Sequence, residues 1–245
     1  MTAASMALAL SAGFEFSSSG PCVGDHVSFD GAVLLVAADG PHSIAADAPG
    51  AACYDGLLCR AGLGVDPSTL SSIEGAARIR REAMCGRSAL NSAASAKCDA
   101  LLGELARSTA RGETPAAEQA ARALLGLGPG LTPSGDDALC GFMLGRRVNG
   151  GGDGLADRAV KSVAFEAAGF TSDVSAVQLA LAAKGRFGEA LLGVATGLHA
   201  GISLLARADV VRCLDEGATS GADALLGLVA GVRAGAQPTR LGLDT

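Results

Sequence analysis

The sequence predicts an α+β protein: a small N-terminal antiparallel β unit followed by a mostly α-helical domain with an internal helix repeat. Three features point there. Short apolar runs before residue 60 alternate with a period of two, whereas from residue 66 onward the period is about 3.6. Turn dipeptides crowd the first part of the chain, and a segment late in the chain repeats one in its middle.

The strand runs are Phe14-Glu15-Phe16, Val27-Ser28-Phe29 and Val33-Leu34-Leu35-Val36. Asp30-Gly31 between the last two is a two-residue hairpin signal, because both residues tolerate the positive φ that a tight turn demands. Gly40-Pro41 and Pro49-Gly50 read as further turns. Residues 1–65 are therefore expected to form a small β-rich domain, barrel-like in outline.

Residues 66–245 are expected to form a helical domain. Asp66-Pro67 opens it, with proline at a first helical position, where its missing N–H costs nothing. Leu70, Ile73 and Ala77 make one apolar stripe; Leu90, Ala94, Cys98, Leu101 and Leu105 make the next. Further helical patterns cover about 115–126, 135–148, 153–168, 173–184, 186–206, 207–216 and 221–234. Gly150-Gly151-Gly152 and Thr171 mark breaks.

The repeat aligns without gaps. Ser134-Gly135-Asp136-Asp137-Ala138-Leu139-Cys140-Gly141-Phe142-Met143-Leu144-Gly145 falls on Ser220-Gly221-Ala222-Asp223-Ala224-Leu225-Leu226-Gly227-Leu228-Val229-Ala230-Gly231. Serine followed three residues on by aspartate predicts a capped helix start, with the carboxylate complementing the helix dipole. Asp137, Gly141 and Gly145 share one face, as do Asp223, Gly227 and Gly231, so the two helices are expected to meet through their glycines in a rough two-fold.

The first copy holds more than a cap needs. Gly126-Leu127-Gly128-Pro129-Gly130-Leu131-Thr132-Pro133 runs into it. A glycine-rich loop entering a helix start presents N–H groups and the positive dipole end, which suits phosphate or carboxylate. Gly128, Gly130, Thr132, Ser134 and Gly135 are the expected ligand-binding residues, joined by Ser220, Gly221 and Asp223 of the second copy. Asp136 and Asp137 are the candidate catalytic carboxylates. Asp137 is accounted for by its counterpart Asp223; Asp136 stands opposite Ala222, which makes it the better candidate for chemistry. Two carboxylates beside an anion nest call for a mediator, either a divalent cation such as Mg2+ or a cationic or amide-bearing ligand. The loop lacks the lysine of a nucleoside-triphosphate loop.

Composition narrows the classes. With 19 basic and 25 acidic residues the net charge is −6, so no basic stripe exists for nucleic acid or an anionic membrane. The absence of tryptophan argues against base-stacking platforms. The seven cysteines are odd in number, show no C-x-x-C spacing and read as reduced core thiols. Zinc is poorly served, the histidines being His26, His42 and His199. Arg80-Arg81 and Arg146-Arg147 read as solvated helix ends, with Arg146 or Arg147 able to help hold an anion, and Gly185-Arg186-Phe187-Gly188 as a joint, with Arg186 a lesser candidate for a substrate contact. Met1–Ala12 has no Lys or Arg, so a secretory leader is not expected, and the expected location is the cytoplasm.

The stretch at 126–137 resembles the signature of the AllH-type family, which includes a subunit of the three-component oxamate carbamoyltransferase of anaerobic allantoin breakdown (purine catabolism). Two further stretches fit in order: Thr171-Ser172-Asp173-Val174-Ser175 with Ala182-Ala183-Lys184-Gly185-Arg186-Phe187, and Thr219-Ser220-Gly221-Ala222-Asp223. In one departure, the lead-in to the second copy lacks the histidine of a Gly-His-Ser-Ser-Gly-like pattern, which weakens any catalytic role for that copy. The resemblance implies a part in carbamoyl transfer, with oxalurate and phosphate exchanging for oxamate and carbamoyl phosphate, a small anionic substrate, and partner subunits. Two alternatives stay open: a non-catalytic small-anion-binding or scaffold subunit, and a stand-alone metal-dependent enzyme acting on a small amide or carboxylate.

Overall fold

The computed structural model describes residues 26–29, 33–37, 43–47, 65–85, 89–148, 150–199 and 203–235, with backbone only for the first three segments and for 203–207. By its internal packing the chain divides into two compact units, Met1–Asp55 and Gly56–Thr245.

The second unit is helical throughout its described length. Its helices are α1 (Pro67–Cys85), α2 (Ala89–Arg111), α3 (Thr114–Leu124), α4 (Ser134–Val148), α5 (Leu155–Phe165), α6 (Asp173–Ala183), α7 (Glu189–His199), α8 (Ser203–Leu214) and α9 (Ser220–Gly235). The expected α+β class is therefore corrected: between residues 65 and 235 the described residues hold no strand, and every side chain of the described core lies on a helix or a helix joint. The extended segments of the first unit are short: β1 (His26–Phe29), β2 (Val33–Ala37) and β3 (Ser43–Asp47), paired antiparallel in chain order. Three open strands of four or five residues can neither close a barrel nor form a layer that buries a core. Fold class follows the layers that do bury one. The expected strand at Phe14–Phe16 and the turns at Asp30-Gly31, Gly40-Pro41 and Pro49-Gly50 lie outside the described residues.

Local sequence explains the helix starts. Asp66 caps α1, its carboxylate accepting from the N–H groups of Ser68 at 3.2 Å and Thr69 at 3.1 Å. Ser172 caps α6, accepting from the Ser175 N–H at 3.1 Å. Gly185 bends the α6–α7 joint with φ +82°.

The centre of the unit is the pair α4 and α9, the most extensive helix contact among the described residues, with α1 and α2 packed on α9 and α6 and α7 on α4. These two helices are buried nearly all round. The glycine stripes explain their closeness. A Cβ on Gly141 would overlap the Ala224 carbonyl, and one on Gly227 would overlap the Ala138 carbonyl. Gly145 faces Leu228, and Gly231 faces Phe142, the residue equivalent to Leu228 in the repeat. Where Gly145 and Gly231 meet, a Cβ on either would stand 3.0 Å from the other's Cα. Each contact has its mate under exchange of the two copies, so the helices run side by side in the same direction about a local two-fold.

Candidate functional site

Because the helices run the same way, the two-fold brings their N-terminal ends together. Ser134 and Ser220 are the first residues of α4 and α9, and their aspartates lie one turn in. Ser220 hydrogen-bonds Asp137, and Ser134 hydrogen-bonds Asp223. These contacts cross from one helix to the other, so the aspartates do more than cap their own turns. Thr132 closes the arrangement, its Oγ1 standing 2.6 Å from Ser220 Oγ. Both carboxyls thus occupy the gap between the two helix starts.

They are deeply buried there: Asp223 is 0% and Asp137 8% exposed. Oδ2 of each has no hydrogen-bond partner. Burial pushes the Asp137 carboxyl up to about 8, the Ser220 and Thr132 hydroxyls opposing the rise and the neighbouring Asp223 adding to it. Burial also raises Asp223, against the hydrogen bond from Ser134 and the charge of Arg81. Arg81 was expected to be a solvated helix end. It is buried instead, with Nη1 3.2 Å from Asp223 Oδ1 and Nη2 2.6 Å from Asp99 Oδ2.

Asp136 has a different setting. It is 1% exposed; Oδ1 accepts from the Gly126 N–H at 2.9 Å, and Oδ2 accepts from the Thr171 hydroxyl. Burial raises its carboxyl, opposed first by the Thr171 bond. Asp136 is the tie that holds the loop's beginning to the start of the 171–175 segment. Ser172 and Ser175 extend the tie by donating to the Leu131 carbonyl. Loop 126–133 is thus bound from both sides.

The glycines of the loop have distinct reasons. Gly128 takes φ +119°, and a Cβ there would stand 2.9 Å from the Ser134 nitrogen. Gly135 and Gly221, the second residues of the two helices, each lie against a carbonyl of the preceding helix, Leu124 and Cys213 respectively. The N–H groups of Gly130, Leu131 and Thr132 meet no backbone acceptor among the described residues, and Gly130 and Leu131 are exposed. They lie just ahead of the positive dipole end of α4, a setting that suits an anion.

Of the residues expected from the sequence, the structure brings Gly128, Thr132, Ser134, Gly135, Asp137, Ser220, Gly221 and Asp223 to one place, with Gly130 in the loop leading to it and Asp136 behind it. Arg146 lies elsewhere: with Asp157 it forms a two-pronged ion pair at 2.7 and 3.1 Å, joining the end of α4 to the start of α5. A small crevice between Met143, Arg146, Asp157 and Lys161 also sits at that far end. His199 Nδ1 is 3.1 Å from the Val148 carbonyl, likewise away from the helix starts. Cys85, Cys98, Cys140 and Cys213 are free thiols. Among the described residues no three His, Cys, Asp or Glu side chains converge as a metal-holding group. None of the described helices is long and apolar enough to cross a membrane.

Residues 124–232 match the family model described as oxamate carbamoyltransferase subunit AllH. No curated protein and no solved structure matches the chain. The matched stretch begins at the last residue of α3 and ends within α9, so it takes in the loop, both copies of the repeat and the 171–175 segment. Over this core the chain is similar to the AllH-type family.

Proposed function

We propose that this protein is a subunit of a carbamoyltransferase-type complex that acts on oxamate or oxalurate with phosphate or carbamoyl phosphate, and that the paired starts of α4 and α9 hold the small ligand. The observation that carries the reading is the overlap of two independent facts. The family match covers both helix starts, and at those starts two buried carboxyls each keep an oxygen with no protein partner. An orphaned buried acceptor is costly, so its retention is best explained by a group that arrives later.

The chemistry of the proposed ligands fits the donor set. Oxamate and oxalurate are small anions with an amide beside a carboxylate, and carbamoyl phosphate has an amide beside a phosphate. The N–H groups of Gly130, Leu131 and Thr132 suit the anionic end, and the carboxyls suit the amide. Mg2+ is a further candidate, since it binds through one or two carboxylates together with ligand phosphate oxygens. Cytoplasmic location is part of the same reading.

The test is to recover the tagged chain with whatever polypeptides accompany it and supply oxalurate with inorganic phosphate. Carbamoyl phosphate and oxamate should appear in equal amounts with the assembly. An assembly that contains this chain yet forms neither product would sink the transferase reading. Product formation that survives Asp137→Ala and Asp223→Ala would leave the chain as the scaffold subunit.

A further inference from the structure

The two aspartates at the helix starts are equivalent in the repeat, but only one has a counter-charge. Arg81 of α1 pairs with Asp223 and, through its other nitrogen, with Asp99 of α2. Among the described residues no cation pairs with Asp137. The other titratable groups around the pair are Asp136 and Cys140 of α4, Cys98 and Asp99 of α2, and Cys213 of α8. None of these is cationic, and burial raises all three thiols, so they remain neutral.

Two neighbouring buried carboxylates with a guanidinium on only one of them cannot both stay charged cheaply, and the member without the cation is the one to take a proton. A protonated carboxyl is a hydrogen-bond donor and an ionised one is an acceptor only. Duplication thus supplies two like side chains, and Arg81 makes them unlike. A donor beside an acceptor, each with an unpartnered oxygen, is the complement of a primary amide, which offers one carbonyl oxygen and two N–H groups. It repels a second carboxylate, which has no N–H to give.

Resting on the reading of the helix starts as the ligand site, we propose that Asp137 donates to the carbonyl oxygen of the ligand's amide and Asp223 accepts from its N–H. The gap therefore selects a carboxamide or carbamoyl end over a second carboxylate. Arg81 is a positioning residue that keeps Asp223 in the accepting state.

The experiment is calorimetric titration of the full chain with oxamate and with oxalate, which differ by amide against carboxylate, from pH 6 to 9. Oxamate should bind at least tenfold more tightly than oxalate near pH 6.5 and lose affinity as pH rises through about 8, where Asp137 gives up its proton. Asp137→Asn should keep oxamate binding within about threefold and abolish the pH dependence, because the carboxamide donates at every pH. Asp223→Asn should weaken oxamate binding tenfold or more. Equal affinity for the two ligands, or wild-type binding that does not change with pH, overturns the donor–acceptor pair while leaving the site reading intact. If neither ligand binds at any pH, the site reading itself fails, and carbon-13 carboxyl titration of the unliganded chain still judges the pair. Resonances showing Asp137 and Asp223 losing their protons together would overturn it. Asp137 titrating near 8 with Asp223 already ionised would support it, and Arg81→Met should then raise the Asp223 midpoint.

Discussion

The starts of α4 and α9 have the same serine, glycine and aspartate at the same helix positions, and the two helices use the same glycines to meet. Their surroundings are not the same. The first start is approached through the long glycine- and proline-rich loop, tied down by Asp136 to Thr171 and Gly126. The second has Ala222 in place of Asp136 and is approached through a short turn from α8, with Arg81 set against its aspartate. The shared residues are those that a symmetric helix pair needs. The differing ones decide charge and access. A duplication thus provides the frame, and one differing position within it, together with Arg81 and the loop outside it, makes its two halves chemically distinct.

The comparison breaks most severely at the shared residues. Gly227→Val should destabilise the protein by about 3 kcal/mol or more, beyond the usual cost of overpacking, because the obstacle is the rigid Ala138 carbonyl and not a flexible side chain. Gly141→Val should do the same, since the contact is its mirror. Gly75 on α1 is the control: a Cβ there meets nothing within 4 Å, so Gly75→Ala should stabilise by about 0.5–1 kcal/mol through helix propensity. Urea unfolding of the three variants checks this. A mild effect at Gly227 with a severe one at Gly141 would mean that the two-fold is not real.

Next in size is the residue that makes the halves unlike. Arg81→Met should cost about 3–5 kcal/mol near pH 7.5, because it strands Asp223, which is fully buried, without its cation. The loss should shrink in acid as Asp223 takes up a proton. Thermal unfolding at two pH values measures both effects; a loss that is the same at both would show that Arg81 acts through packing alone.

Asp136→Ala should cost about 1–3 kcal/mol, since it leaves the half-buried Gly126 N–H and Thr171 hydroxyl without their charged acceptor. This reverses what the sequence suggested, where Asp136 was the carboxylate that structure did not demand. Asp136→Asn should recover part of the loss, because one amide oxygen can still accept. Faster exchange of the Gly126 amide hydrogen would place the damage at the loop, and an unchanged rate would contradict the tie.

The sequence made much of this legible, and the failures have physical causes. The glycine stripe and the pairing of the two repeat helices could be read because glycine spacing and helix entry are local signals. Strand patterning in the first part of the chain was read locally too, but a few short strands do not set a fold class when, among the described residues, nine longer helices bury the core. Arg81 was missed although a signal existed. It continues the stripe of Leu70, Ile73 and Ala77 by one helical step, and a charge on an apolar stripe needs a buried partner. The crossing of serine to the opposite aspartate could not be seen, because S-x-x-D describes an ordinary cap equally well.

The gentlest perturbation is pH, and it acts on the difference between the two aspartates directly. The folded Asp137 carboxyl lies at about 8, above the ordinary 3.8. Between those values the folded state holds a proton that the unfolded chain has released. Stability must therefore fall as pH rises from about 4 to about 8, and it levels off beyond. The slope is bounded by about 1.4 kcal/mol per pH unit, the limit for one proton, and solvent relaxation around the opened gap will keep it below that bound. Asp136 and Asp223, also raised by burial, contribute slopes of the same sign. Asp66, lowered to about 2 by the hydroxyls and N–H groups it caps, acts in the opposite sense and only in stronger acid. The informative quantity is the difference between wild type and Asp137→Asn in denaturant midpoints across pH 5 to 9. The variant should gain on the wild type steadily up to about pH 8 and hold its lead above it. Parallel curves across that range would mean that Asp137 is ionised in the folded protein and that the two halves of the repeat are electrostatically alike.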